Sequence, residues 1–505
     1  MNIYKVLLLL MGLSIMGCSD LEEEPVGLLS PEGFFSTPED IQLAVNASLT
    51  HAINEEIWGR KLSIALMLRS DMVNLNSTQT RRVEMNMHTI TGDNEMVFDP
   101  WTRIYLGIAA ANNAIAGAEQ VSADDAVKNQ VTAQAYFARA WYYFHLVRLF
   151  GDVPYIDSPV EDIAAAANIS NTPEAEVYAN IISDLEYAEQ WLPNTVASRA
   201  TPSKAAAKSY LALVYLTMAG TSNTQYFQMA YDKAKEVITN KGAYDVDLDP
   251  DFQTLFNANK IDGSKEPIFA LDYNNNEAPD NAYDQTCPMT GIRGDDGWSV
   301  ASPTMAVYDS FDPDDYRTRV SFQTEATIGG TTVDYTNFQI SGHEHAQNTP
   351  YIAKYTRYPG EFARGSKRAT SHNYNMLRYA EVLLIAAEAG VEIGASDALG
   401  FLNEVRGRAR NGGETTNGGY VPETVAPSAV PADLSSITVA DVLEERRVEF
   451  AFECKRWYDI KRRQLGDQVF GASGYEGAKA DWNSSVDYDT PIPQDEIDRN
   501  PNITN

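Results

Sequence analysis

Disulfides, basic residues and long apolar runs are all scarce in this 505-residue chain, and each scarcity closes off a class of protein. Cysteine occurs only at positions 18, 287 and 454, too few for a bridged framework; one Cys287–Cys454 pairing is the most an exported chain could use beyond Cys18. Lysine and arginine number 39 against 70 aspartates and glutamates, which sets the net charge at −31. That sign repels phosphate backbones and anionic headgroups, so nucleic-acid binding and charge-driven membrane binding are excluded. Past the amino end, no segment reaches the roughly 18 uninterrupted apolar residues of a membrane-crossing helix. A Gly-x-Ser-x-Gly elbow, a phosphate-binding loop and a dinucleotide fingerprint are missing too, leaving an enzyme without nucleophile, acid or cofactor.

What is present begins with Cys18. An apolar run over 6–16, preceded by Lys5 and followed by Gly17, is too short to span a bilayer and has the layout of an export signal. Residues 1–17 are therefore read as a signal peptide and Cys18 as a lipid-attachment site. At ~0.8 kcal/mol per buried methylene, more than one acyl chain there gives stable anchoring. Residues 18–32, with Glu22, Glu23, Glu24 and Pro25, form an acidic, extended tether.

Beyond the tether, alanine alternates with large aromatics at helical spacing over 101–119, 131–150, 174–192, 203–219, 226–238, 377–391 and 395–408. Small residues facing aromatics on helices joined by brief turns suit stacked helix pairs of the tetratricopeptide kind. The expected fold is mostly α, about four such pairs, interrupted over 245–372 by a long insertion of loops and short strands such as 268–273 and 330–334. A second Gly- and Pro-rich stretch covers 411–436. The division is 33–244 and 245–505, packed as one unit, with ligand contacts expected on the long loops.

Some patterns are rejected. Asp245, Asp247, Asp249 and Asp251 alternate like a calcium loop, but the positions that need Gly and a carboxylate hold Pro250 and Phe256. His343-Glu344-His345 lacks a third metal ligand. Glu445, Arg446, Arg447, Glu449, Glu453 and Arg456 are read as pairing along the surface of one helix anchored by Val448, Phe450 and Phe452.

Five stretches carry a resemblance: Ala133-Gln134-Ala135-Tyr136-Phe137 running to Gly151-Asp152-Val153-Pro154; Pro202-Ser203-Lys204-Ala205; Arg378-Tyr379-Ala380-Glu381; Glu445-Arg446-Arg447-Val448-Glu449-Phe450 with Arg456-Trp457-Tyr458-Asp459; and Pro491-Ile492-Pro493-Gln494. In this order they resemble the RagB/SusD family, surface lipoproteins that accompany a TonB-dependent transporter. The resemblance implies a SusD-like fold at the outer face of the outer membrane, a SusC-like barrel partner, and capture of a glycan without catalysis. A peptide ligand is the alternative, and a lipid-anchored glycoside hydrolase a further one. No cofactor or metal is expected. For a sugar, aromatic faces beside hydrogen-bonding groups are the matching chemistry. The candidates are Trp101, taken to start a helix beside Asp71, Arg81 and Asp99; Trp298, between glycine and loop; and the turn with Tyr273 and Asn275.

Overall fold

A computed structural model describes residues 33–504 apart from 161, 163–166, 274–281, 293–296, 329, 339–347, 364–368, 417–420 and 476. The signal peptide, Cys18, the tether, Asn275 and the His343–His345 pair lie outside the described residues. Twelve longer helices are α1 (Pro38–Ala52), α2 (Lys61–Leu68), α3 (Thr80–Met87), α4 (Glu95–Ala118), α5 (Asp125–Phe150), α6 (Glu174–Trp191), α7 (Lys204–Ala219), α8 (Thr224–Thr239), α9 (Tyr379–Ile393), α10 (Ala398–Ala409), α11 (Val439–Glu449) and α12 (Arg456–Arg462). Their starts follow local chemistry: the side chains of Asn94, Asp124, Ser203 and Asn223 each accept a first-turn amide, and Gly394 (φ +73°) closes α9 in the left-handed region.

Eight helices pack each on the next as four successive pairs: α1 with α4, α5 with α6, α7 with α8, and α9 with α10. The alanine and glycine positions allow the close approach. A side chain at Gly107 of α4 would meet the Tyr142 ring of α5 at 2.3 Å, and the Tyr142 hydroxyl donates to the Ser48 carbonyl of α1 at 2.6 Å. The step from α8 to α9 crosses the insertion. Its two ends are clamped by an antiparallel pair, β2 (Pro267–Leu271) with β4 (Tyr374–Arg378), in the register Tyr374↔Leu271 to Arg378↔Pro267. The helical array resumes as though uninterrupted. One hydrophobic core runs from Ala52 to Ile503 and draws on both sides of residue 245. Cys287 and Cys454 are buried and not bridged to each other; burial pushes the Cys454 thiol up to about 12.

Two expectations are corrected. The helix holding Trp101 starts at Glu95, capped by Asn94, and runs through Pro100, so Trp101 lies in its second turn. The charged run after residue 444 does not lie along one helix surface: α11 ends at Glu449, and Glu445, Arg446, Arg447, Glu449 and Glu453 are all buried while Val448 is only half-buried. Apart from Arg447, which pairs with Glu444 one turn back on α11 at 2.6 Å, their partners come from elsewhere. Glu449 accepts from Arg317 (2.9 Å), Arg378 (2.5 Å) and Arg408; Glu453 from Arg378 (2.9 Å) and Lys354 (2.8 Å); Glu266 from Arg378 (2.7 Å) and Arg408 (2.5 Å). A second group joins Arg446 to Glu381 and Asp459, and Arg462 to Glu388 and Asp459. Burial pushes the Arg378 pKa down, but Glu453, Glu449 and Glu266 outweigh it and hold the guanidinium well above its ordinary value. This network ties the insertion, β2, β4, α10 and α11 together.

Candidate functional site: a tryptophan-walled cleft

The site is built where the insertion meets the amino-terminal helices. Strand β1 (Asn74–Leu75) pairs antiparallel with β3 (Ala301–Ser302), Asn74 opposite Ser302, and the Asn76 amide extends the ladder to the Val300 carbonyl at 2.8 Å. Just before β3, four consecutive backbone amides are tied to one turn: Gly297 donates to the Ile292 carbonyl (3.0 Å), Trp298 to Pro288 (2.5 Å), Ser299 to Gly291 (2.9 Å) and Val300 to Met289 (2.9 Å). The backbone carrying Trp298 is thus fixed residue by residue. Gly297 is required there because an added Cβ would lie 2.1 Å from the Gly291 carbonyl. Gly297→Ala is expected to lose about 1–3 kcal/mol of stability, measured by denaturant unfolding; a loss within about 0.3 kcal/mol of zero would contradict this mount.

Trp298 is half-buried and walls a cleft of about 460 Å³. Opposite it stand Ser77, Thr78 and Gln79, which lead into α3, with Arg82 in the first turn of α3 and Arg60 just ahead of α2. An indole face beside amide, hydroxyl and guanidinium groups supplies what a sugar presents, a C–H face and a rim of oxygens. A larger cleft of about 740 Å³ is lined by Tyr178, Tyr226, Tyr458 and Tyr488. Three of these rings are buried, and the cleft's cations are already engaged: Lys461 with Asp489, Arg462 with Glu388, and Arg148 at 3.7 Å from the Phe144 and Tyr458 rings. It offers paired charges where the Trp298 cleft offers an aromatic face.

The sequence-selected residues separate. Trp298 lines the cleft, and Arg81 flanks it, ion-paired to Glu95 and donating to the Gln79 side chain at 2.9 Å. Asp71 is only 1% exposed and holds Arg456 through two 2.8 Å bonds; burial would raise its pKa, but Arg456 keeps it below the ordinary value. It does not reach the surface. Trp101 is 3% exposed, its ring against Tyr105 and Phe150 at 4.9 Å, and it backs a separate, mostly apolar cleft with Leu106 and Ile503. Asp99 pairs with Lys61. Tyr273 is buried with its hydroxyl lacking a hydrogen-bond partner among the described residues. Sequence reading passed over Arg60, Gln79 and Arg82; the polar run 76–79 ahead of a helix was the available signal.

The profile of the SusD family matches residues 329–505, and that of a family described as starch-binding, associating with outer membrane, matches residues 39–216. The chain is 46% identical to SusD-like protein P2 of Formosa agariphila, over 100% of this chain and 99% of that one. Among solved structures, a SusD homologue from Bacteroides thetaiotaomicron superposes with a TM-score of 0.78 at 20% identity, covering 94% of this chain and 97% of that one. A laminarin-binding SusD-like protein superposes with a TM-score of 0.75 at 21% identity, covering 93% and 99%.

Proposed function

The chain belongs to the SusD family, and from that premise we propose that it is an outer-membrane surface protein that captures a glycan at the Trp298 cleft and delivers it, chemically unchanged, to a SusC-like TonB-dependent transporter for import. The observation that carries the reading is Trp298 itself, a half-buried indole on a fully bonded backbone, facing a cleft of hydrogen-bonding side chains. A neighbour of the same fold is named as laminarin-binding, which supports a glycan as the ligand class. In this reading a lipid on Cys18 holds the protein at the membrane; no described helix is long and apolar enough to cross a bilayer. Residues Asp71, Trp101 and Tyr273 support the scaffold in this reading, and Arg81 borders the ligand.

Covering roughly a third of the 150–250 Å² that an indole can bury is worth about 1.5 kcal/mol at 25 cal/mol per Å², or about tenfold in Kd. Trp298→Ala is therefore expected to weaken glycan binding about tenfold in affinity electrophoresis or calorimetry while Trp101→Ala acts through stability. Unchanged affinity in Trp298→Ala would remove this cleft from the reading.

A further inference from the structure

We propose that the Trp298 cleft takes an anionic sugar unit, one bearing a carboxylate or a sulfate ester, and that Arg82 is the group that anchors it. The inference rests on the glycan-binding reading above and narrows its ligand class.

The chain carries 31 net negative charges, yet three arginines, 60, 81 and 82, gather at this one cleft. Two of them are answered: Arg60 by Glu55 at 2.7 Å, and Arg81 by Glu95. Arg82 lines the cleft, is only 9% exposed, and has no carboxylate partner among the described residues. Its guanidinium makes two long contacts, to Ser77 Oγ at 3.4 Å and Met289 Sδ at 3.7 Å.

Other deeply buried arginines in the fold are treated differently. Arg139, Arg317, Arg378, Arg408, Arg446 and Arg462 all face carboxylates. Arg357, which lacks one, donates to the Arg319 carbonyl and to the side chains of Gln253 and Thr415 within 3.1 Å. Arg69 donates to the Asp487 carbonyl and Thr490 and lies 3.9 Å over the Trp457 ring. A cation taken out of water without an anion is costly. Arg148, also without a carboxylate, still donates to the Phe144 carbonyl at 3.0 Å between two rings, so that among the described buried arginines Arg82 alone has no contact shorter than 3.4 Å. Burial, reinforced by Arg81 and Arg60, pushes Arg82 down to about 10, the direction expected of an unanswered charge.

An oxyanion arriving in the cleft would supply the missing partner. The planar guanidinium fork matches a carboxylate or a sulfate through two parallel bonds. The same sugar's ring would lie against Trp298, with its hydroxyls toward Ser77, Thr78 and Gln79.

The test uses the full chain in calorimetry against three polymers: a polyuronate, a sulfated glucan and the unsubstituted glucan. Expected are binding of at least one anionic polymer that weakens as salt is raised, and a loss of roughly tenfold or more for that polymer in Arg82→Met, with partial retention in Arg82→Lys. Whichever anionic polymer responds identifies carboxylate or sulfate. Arg82→Met should melt no lower than the unsubstituted protein, because an unpaired buried charge is removed, so the binding loss can be separated from misfolding. Equal affinity of Arg82→Met for the anionic polymer overturns the inference. Binding of the neutral glucan alone, still dependent on Trp298, overturns it while leaving the glycan-binding reading in place; indifference of all binding to Trp298→Ala overturns both.

Discussion

Glu449→Ala is expected to remove about 3–5 kcal/mol of folding stability, a large part of the 5–15 kcal/mol typical of a folded chain. Glu449 is fully buried and accepts from three guanidiniums at once, those of Arg317, Arg378 and Arg408. Burial alone would raise its pKa, but Arg408, Arg378 and Arg317 hold it far below the ordinary carboxylate range. Truncation leaves those cations out of water with one shared partner gone, and the cost comes from this stranding more than from the lost attraction. Glu449→Gln, which keeps the volume and removes the charge, is expected to lose nearly as much. The exposed Asp495–Arg499 pair on the short helix Gln494–Arg499 is the control: Asp495→Ala should change stability by less than about 0.5 kcal/mol. Guanidinium unfolding of the full chain reads all three, and a loss below about 1 kcal/mol in Glu449→Ala would contradict the network's role.

Acidification from pH 7 to pH 5 should destabilise the fold before its paired carboxylates titrate. His88, His145 and His372 are buried. Burial, with Arg69 and Lys479 adding, pushes His88 down to about 2; burial, with Arg148 and Lys455 adding, holds His145 well below its ordinary value; and burial brings His372 to about 4 against opposing backbone hydrogen bonds. His88 sits among the rings of Trp457, Phe470 and Trp482 with neither nitrogen bonded among the described residues. An unfolded imidazole takes its proton near pH 6.5, whereas the native ones stay neutral. Between the two values the unfolded chain binds the extra protons, so stability falls as pH falls, by about 2 kcal/mol per imidazole at pH 5. Asp284 works in the opposite sense: burial raises it to about 6, and its protonation returns about 1–2 kcal/mol over the same window. Glu174, Asp184, Asp272 and Glu404, which burial also raises, oppose in the same sense, and the expected result is a net loss read as a melting temperature that drops from pH 7 to pH 5. A flat profile across that window would mean that these imidazoles are not buried neutral.

The alternation of alanine with aromatics exposed the helical array, because close helix packing imposes that pattern locally. Helix starts were less legible. The apolar periodicity put a start at Trp101, yet Asn94 caps the helix earlier and it continues through Pro100. The charged run at 445–456 misled for a different reason: partners such as Glu266, Arg317 and Arg378 are far away in sequence, so helical offsets alone suggested a solvated face. Trp298 was legible because a tryptophan between glycine and loop is conspicuous. Arg82 was not, since nothing in the adjacent letters Arg81 and Arg82 says which one finds Glu95 and which is left facing the cleft.

The placement of α9 against α8 also bears on how the chain folds. The apolar stripe of α8 includes Phe227, Ala230, Ala234 and Val237, and Tyr231 donates to Asp397 at 2.6 Å from just beyond α9. In a polypeptide made from its amino end, the side of α8 that α9 will cover stays open, with α7 already packed on the helix, until about 140 further residues have emerged. During that interval the growing chain is sticky at the very edge where its stack will later continue. The dangerous moment for this molecule is thus early in its life, which makes a holding chaperone more valuable to it than a catalyst of late rearrangement.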